Sequence, residues 1–161
     1  MPRIEPTEFT PGQRAACARA AAVCSRTEIC ASDVLGRLKG WGLTEEEARP
    51  VVDYLEDHGF IDDERFARAY VRDKFRFNGW GKRKISFMLQ AKGIGPEVQS
   101  IALAEIDDQA SAGRLRQLLT VKAQSVRARD RHDLRQKLMR FGLGRGFAME
   151  EIATVLAEIG I

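Results

Sequence analysis

Apolar residues recur along this chain at steps of three and four, which places them on one face of a helix. The segment that follows Asp63 shows the pattern clearly, with Phe66, Ala67, Tyr70 and Val71 on one side. No segment alternates apolar and polar residues over the length of a strand. The sequence therefore predicts an all-α protein.

Capping signals divide the chain into nine predicted helices. Thr, Asp and Gly residues precede the apolar runs, and the Thr and Asp side chains can accept hydrogen bonds from the free N–H groups of a helix start. For the fourth helix, either Asp62 or Asp63 can serve as the cap. The predicted helices begin at or near Thr10, Thr27, Thr44, Asp63, Lys82, Gly95, Asp107, Asp130 and Ala148.

An internal repeat of about fifty residues organises these helices. Gly42, Gly93 and Gly142 lie 51 and 49 residues apart, and apolar residues occur at five shared offsets from each glycine. These residues are Val34, Leu38, Leu43, Val52 and Leu55, then Ile85, Leu89, Ile94, Leu103 and Ile106, then Leu134, Leu138, Leu143, Ile152 and Val155. Because glycine adopts the left-handed conformation at little cost, we predict each glycine as the exit of a core helix.

The repeat predicts three tandem three-helix units, which stack on their neighbours more readily than they form one globule. The expected division is a flexible lead over residues 1–9 and units over residues 10–60, 61–106 and 107–161. The predicted architecture is an elongated solenoid of nine helices.

Charge is arranged in blocks that the net charge of +3 conceals. Residues 64–92 carry nine basic and two acidic side chains, and residues 113–146 carry ten basic and two acidic ones. The stretches between and around these blocks are acidic. The pattern favours a polyanion or an acidic protein surface as partner, while solvated helix faces remain the alternative explanation.

Several protein classes are disfavoured by the sequence. It has no apolar run of about 18 residues, so we expect no membrane span, and its start lacks a secretory signal pattern. The three cysteines, Cys17, Cys24 and Cys30, suit buried positions better than a disulfide framework. We expect a cytoplasmic protein.

Catalytic chemistry has little support in the sequence. Asp62, Asp63 and Glu64 could hold a metal or transfer protons, but carboxylates at this place also cap a helix and favour its dipole, and we prefer that explanation. The sequence contains no Ser/His/Asp or Cys/His arrangement typical of nucleophilic catalysis. No glycine loop has the spacing of a phosphate-binding loop after a strand. We therefore predict a protein that is not an enzyme and uses no cofactor or metal.

The candidate binding residues lie in the two basic blocks. Four arginines between residues 65 and 76 recur at steps of three or four and form a stripe. A helix start contains Lys82, Arg83 and Lys84, although positive charges there interact unfavourably with the helix dipole. Residues that are unfavourable for local structure often serve a function, so we include them as candidates. Trp80 could stack on a base, anchor a protein or pack between units. The candidates for partner or DNA binding are Arg68, Arg72, Arg76, Trp80, Lys82, Arg83, Lys84, Arg131, Arg135 and Arg140.

One set of residues carries a family resemblance, strongest over residues 51–106. The set is Tyr54-Leu55, Gly59 to Asp63, Arg65 to Ala67, Tyr70-Val71, Gly81, Lys84-Ile85, Leu89 and Lys92 to Ile94. It resembles the RecX regulatory proteins of bacteria. The resemblance implies a curved array of three-helix repeats, which we expect to be of the right-handed type.

The resemblance also implies a function in homologous recombination, DNA repair and the SOS response. Such proteins bind the filament of RecA on single-stranded DNA, and mostly inhibit its ATP hydrolysis, strand exchange and co-protease activity. The partners expected are therefore the RecA filament and single-stranded DNA, with double-stranded DNA as a further candidate, and the protein is expected to act as a monomer.

Two other functions remain open. Helices joined by a glycine turn could act as helix-turn-helix units of a stand-alone DNA-binding regulator. The acidic residues 62–64 could instead serve a magnesium-dependent nuclease, which is the weaker alternative.

Overall fold

The computed structural model describes residues 6–161, and all the regular structure in that range is helical. A 3₁₀ turn at Pro6–Glu8 precedes nine α-helices. They are α1 (Pro11–Arg26), α2 (Ala31–Gly40), α3 (Glu45–Asp57), α4 (Asp63–Arg76), α5 (Lys82–Ala91), α6 (Pro96–Leu103), α7 (Asp108–Ser125), α8 (Arg131–Gly144) and α9 (Met149–Glu158). The expected all-α helical repeat is confirmed.

Local capping explains most of the helix starts. Thr10 and Thr44 form capping boxes with Gln13 and Glu47, and the predicted caps of three later helices are also present. In each of these three, an aspartate accepts a hydrogen bond from a backbone N–H of the first turn; they are Asp62, Asp107 and Asp130.

The prediction that Thr27 opens the second helix was wrong. Thr27 ends α1, and α2 begins at Ala31 after Cys30, whose side chain makes no capping bond. The cap comes from another part of the chain, since the Ala31 N–H donates to the Asp63 carboxylate at 2.8 Å. A cap supplied from 32 residues away leaves no local signal in the sequence.

The helices pack as three triplets, α1–α3, α4–α6 and α7–α9, which we call units 1, 2 and 3. A buried apolar cluster lies within each triplet. The predicted boundaries at residues 60/61 and 106/107 stay a prediction. Of the predicted flexible lead, residues 1–5 lie outside the described residues, while Phe9 is buried against Tyr54 in the first cluster, which corrects the expectation at that residue.

The predicted repeat register is correct in units 1 and 2 and wrong in unit 3. Gly42 and Gly93 have φ of 104° and 78° and follow α2 and α5, as predicted. Gly142 instead lies inside α8, and the left-handed glycine after α8 is Gly146, with φ of 95°. Leu143, expected in the core, is 38% exposed, whereas Phe147 is 1% exposed.

A change in packing volume explains the shifted register. One backbone hydrogen bond closes the end of each middle helix. Its acceptor carbonyl belongs to Leu38 in unit 1, to Leu89 in unit 2 and to Gly142 in unit 3, so these three positions are equivalent. A Cβ on Gly142 would lie 2.8 Å from the Ile152 side chain of α9. Unit 1 has Ala48 at the position of Ile152. Compared with unit 1, unit 3 therefore has its large side chain on the third helix instead of on the middle helix.

Side chains hold units 1 and 2 together. Besides the Ala31–Asp63 bond, the Ser32 hydroxyl donates to the Lys92 carbonyl at 2.6 Å, and the Lys92 ammonium lies 2.8 Å from Asp33. Arg65 of α4 pairs with Glu28. We call this set of contacts the first seam.

Backbone contacts join units 2 and 3. The Gly81 N–H donates to the Arg145 carbonyl at 2.7 Å, and the Arg83 N–H donates to the Gly146 carbonyl at 3.0 Å. The two backbone segments approach so closely that a Cβ on Gly81 would lie 2.5 Å from the Gly146 oxygen. We call this set of contacts the second seam.

Candidate functional site

The arginine stripe on α4 is largely committed to contacts within the protein. Arg68 pairs with Glu64 at 2.9 Å and Glu105 at 2.8 Å, and the bond to Glu105 is the main cause that raises the pKa of Arg68. Arg72 lies 3.3 Å from Glu105. These pairs join α4 to the end of unit 2, so Arg68 has a structural role in addition to any predicted binding role.

The C-terminal end of α4 is more available. Arg76 is exposed, no salt bridge engages it among the described residues, and its guanidinium lies 5.6 Å from the ring of Phe77. Phe77, the next residue, is 72% exposed. The sequence pattern drew attention to Arg76 but not to Phe77.

The cluster Lys82, Arg83 and Lys84 lies at the second seam. The backbone N–H groups of Gly81 and Arg83 are already bonded to unit 3, so this helix start is not an open anion site. Lys82 and Arg83 line a groove of about 510 Å³, which we call the acidic groove. Its charged lining also includes the carboxylates of Asp108, Glu150, Glu151 and Glu158.

Trp80 is half-buried and packs against the core of unit 2. Its ring lies edge-on to Tyr70 at 6.5 Å, with the ammonium groups of Lys84 and Lys74 at 4.5 and 4.9 Å. The structure thus places Trp80 in packing contacts, and Lys84 lies over it. A role for either residue in binding stays a prediction.

The three candidates on α8 separate into two groups. Arg131 and Arg135 donate to the carbonyls of Gly160 and Ile161, at 2.5 and 2.7 Å, and so connect α8 with the residues after α9. Arg140 is exposed, and no described side chain pairs with it.

The start of α8 is stabilised separately. Hydrogen bonds from the Arg129 N–H and then from Lys137 lower the pKa of Asp133 in the first turn of this helix. The Lys137 ammonium and the Arg129 guanidinium also lie 3.1 and 3.7 Å from the Asp133 carboxylate, so both cations of the second basic block are engaged within the protein.

A second groove lies at the second seam, and sequence reasoning missed most of it. It has a volume of about 640 Å³, and we call it the basic groove. Its lining residues are Arg114, Gln117, Leu118, Val121, Lys122, Ser125, Phe141 and Arg145. They include three cations and no carboxylate. No signal in the sequence distinguishes these cations from other basic residues of the second block.

The basic groove is connected to the end of α4. A neighbouring cavity of about 510 Å³ shares Arg114 and Gln117 with it and reaches Arg72 and Arg76, with Glu105 as the one carboxylate among the described residues that line it. Within the groove, Lys122 and Arg145 lie 5.3 and 5.2 Å from the ring of Phe141. Of the predicted residues, the structure therefore brings Arg72 and Arg76 together beside cations from unit 3.

The acidic cluster at residues 62–64 is occupied by structural contacts. Asp62 caps α4 through the Arg65 N–H at 3.0 Å, Asp63 accepts from Ala31, and Glu64 pairs with Arg68. Within residues 6–161, no group of three or more His, Cys, Asp or Glu side chains is placed to hold a metal ion.

The three cysteines are free thiols, and burial raises the pKa of each. None of the described helices is long and apolar enough to cross a membrane.

Comparison with known proteins identifies similar chains. Residues 62–103 match the family model described as RecX, second three-helix domain. The Regulatory protein RecX of Mycobacterium sp. (strain KMS) is 32% identical over 134 residues, covering 78% of this chain and 73% of that protein.

Two solved structures share the fold. The crystal structure of RecX from Lactobacillus salivarius has a TM-score of 0.81 at 21% identity, covering 91% of this chain and 96% of that one. A crystal structure of regulatory protein RecX has a TM-score of 0.83 at 24% identity, covering 89% of this chain and 71% of that one.

Proposed function

Because the chain belongs to the RecX family of regulatory proteins, we propose that it binds the filament of RecA on single-stranded DNA and mostly inhibits it. The activities affected would be ATP hydrolysis, strand exchange and the co-protease function. The protein would act in the cytoplasm, as a monomer and without catalysis of its own.

The observation that carries this proposal is the cationic surface formed by the end of α4 and the basic groove. It joins Arg76 of unit 2 to Arg114, Lys122 and Arg145 of unit 3. Arg72 lies at its edge, where it is paired with Glu105. A nucleoprotein filament presents phosphates and acidic protein groups, and side chains such as these attract both. Binding of this kind would be sensitive to salt and independent of base sequence.

The stand-alone helix-turn-helix alternative has less support. Such a regulator places the start of its recognition helix in the major groove of DNA. In the helix pairs joined by a glycine turn, the recognition helices would be α3, α6 and α9. Each of these has carboxylates in its first turn, at Glu45 to Glu47, at Glu97 and at Glu150 and Glu151, which would repel the phosphates of DNA.

Inhibition of RecA can be tested with preformed filaments on single-stranded DNA. We expect the rate of ATP hydrolysis to fall as the protein is added, and Arg76→Glu to weaken the effect because a repulsive charge replaces an unpaired cation. Arg26→Glu makes the same charge change at an exposed arginine of unit 1 and is the matched control. Undiminished hydrolysis at saturating protein would contradict the inhibitor proposal.

A further inference from the structure

The turn between α4 and α5 exposes an aromatic ring on a fixed backbone. Phe77 is 72% exposed, yet its N–H is bonded to the Asp73 carbonyl at 2.8 Å. Two residues later, Gly79 is buried, with φ of 66°. A Cβ on Gly79 would lie 3.1 Å from Leu118 of α7, so the turn packs closely on unit 3.

Arginines from unit 3 hold this turn in place. Arg114 donates to the carbonyls of Phe75 and Arg76, both at 3.3 Å, and Arg145 donates to the carbonyl of Asn78 at 2.8 Å. Carbonyls on both sides of Phe77 are therefore occupied by guanidinium groups. A turn held in this way loses little backbone freedom when a ligand stacks on the ring that it carries.

The surroundings of the ring are cationic. Arg76 lies beside Phe77, and Arg145 connects the turn to Phe141 and Lys122 in the basic groove. The lining of that groove contains no carboxylate. The turn that carries the exposed ring is bonded to Arg114 and Arg145 of this groove, so an aromatic face for a base and cations for its phosphates occur on connected elements.

We propose that Phe77 is a stacking platform for one base of a single-stranded nucleic acid, whose phosphates lie against Arg76, Arg145 and Lys122. This proposal rests on the proposed function and adds to it a direct contact between the protein and the single strand, which would form without RecA. A base within a duplex has no free face, so the site favours single strands. Stacking and phosphate contacts do not involve the 2′-hydroxyl, so we expect the site to accept DNA and RNA alike.

The test separates stacking from charge. Fluorescence anisotropy compares a labelled 20-mer of deoxythymidine with an abasic 20-mer that has the same phosphates. We expect the thymidine strand to bind about tenfold more tightly, which lies within the range of stacking one base on an aromatic side chain. A uridine 20-mer should match the thymidine strand, and a 20-bp duplex should bind more weakly than either.

Three variants locate the effect. Phe77→Ala should remove the preference for thymidine over the abasic strand, whereas Phe87→Ala should keep it. Phe87 is a matched control, because it is 71% exposed on α5 of the same unit but lies outside the turn that Arg114 and Arg145 hold. Lys122→Gln should reduce the salt dependence of log K by about 0.7, as expected for one lost phosphate contact.

Three results would overturn the proposal and favour a protein contact for Phe77. They are equal binding of the thymidine and abasic strands, no binding of either strand, and the same loss of preference in both phenylalanine variants. The RecA assay is independent of this result. Inhibition that persists in Phe77→Ala, with the base preference lost, supports both proposals, whereas base preference without inhibition of RecA contradicts only the proposed function.

Discussion

The two seams join similar units by different chemistry. At the first seam, Asp63, Ser32 and the Lys92–Asp33 pair make the contacts through side chains. At the second seam, the N–H groups of Gly81 and Arg83 bond directly to carbonyls of unit 3. Gly93 and Gly146 occupy equivalent places, after α5 and after α8.

The difference in chemistry produces a difference in tolerance. A Cβ on Gly93 would meet the Ser32 side chain at 3.7 Å, an ordinary contact, while a Cβ on Gly146 would clash with Lys84 of α5. Side-chain contacts can be weakened one at a time. A seam of backbone contacts depends on the absence of side chains, and it also positions the proposed nucleic-acid site.

The largest expected effect comes from adding a methyl group at the second seam. Gly146→Ala combines a left-handed backbone with a clash against α5, and we expect it to lower the free energy of unfolding by about 3 kcal/mol or more. Gly93→Ala adds only the backbone strain, about 1–2 kcal/mol. Urea denaturation of both variants measures the difference, and equal losses would show that the seams tolerate side chains alike.

Removal of the cap at the first seam should have an intermediate effect. Asp63→Ala deprives the Ala31 N–H of its acceptor, and loss of a helix cap costs about 1 kcal/mol. Hydrogen exchange should show faster exchange at the start of α2, in unit 1. Asp62→Ala is the control, since it removes the cap of α4 instead. Faster exchange confined to α4 in both variants would contradict capping across the seam.

The smallest effect concerns the Lys92–Asp33 pair. The hydrogen bond to Asp33 raises the pKa of Lys92. The contribution of this ion pair to the free energy of unfolding is therefore complete below the ordinary lysine pKa of about 10.4. It is lost as the pH rises through the higher pKa that Lys92 has in the folded protein. Asp33→Asn should lower stability by about 0.5 kcal/mol at pH 8, and the difference from the unchanged protein should shrink by pH 11. Melting temperatures at the two pH values provide the measurement, and a constant difference would contradict the ion-pair explanation.

The sequence predicts the local features of this fold well. Capping residues such as Thr44 and Asp130 act within one helical turn, so their effect is visible in the sequence itself. The start of α2 and the register of unit 3 were predicted wrongly because each depends on a distant residue, Asp63 in one case and Ile152 in the other. Spacing along the chain does not contain these contacts.

The candidate site was predictable only in part. Charge blocks indicated Arg76, which forms no salt bridge among the described residues, but the same reasoning selected Arg72, which pairs with Glu105, and Arg131 and Arg135, which donate to carbonyls at the end of unit 3. How many N–H groups of a cation remain for a ligand depends on which carbonyls and carboxylates the fold brings near it. The exposure of Phe77 likewise follows from the packing of its turn on unit 3.

The close contact between Gly142 and Ile152 limits how the units could be exchanged. A third helix transferred from unit 1 would bring Ala48 to the place of Ile152 and leave a void beside Gly142. A middle helix transferred from unit 1 would bring Leu38 against Ile152, where even a Cβ lies within 2.8 Å. A chimaera must therefore inherit α8 and α9 together, and substitutions at these two positions are expected to occur as a pair in related sequences.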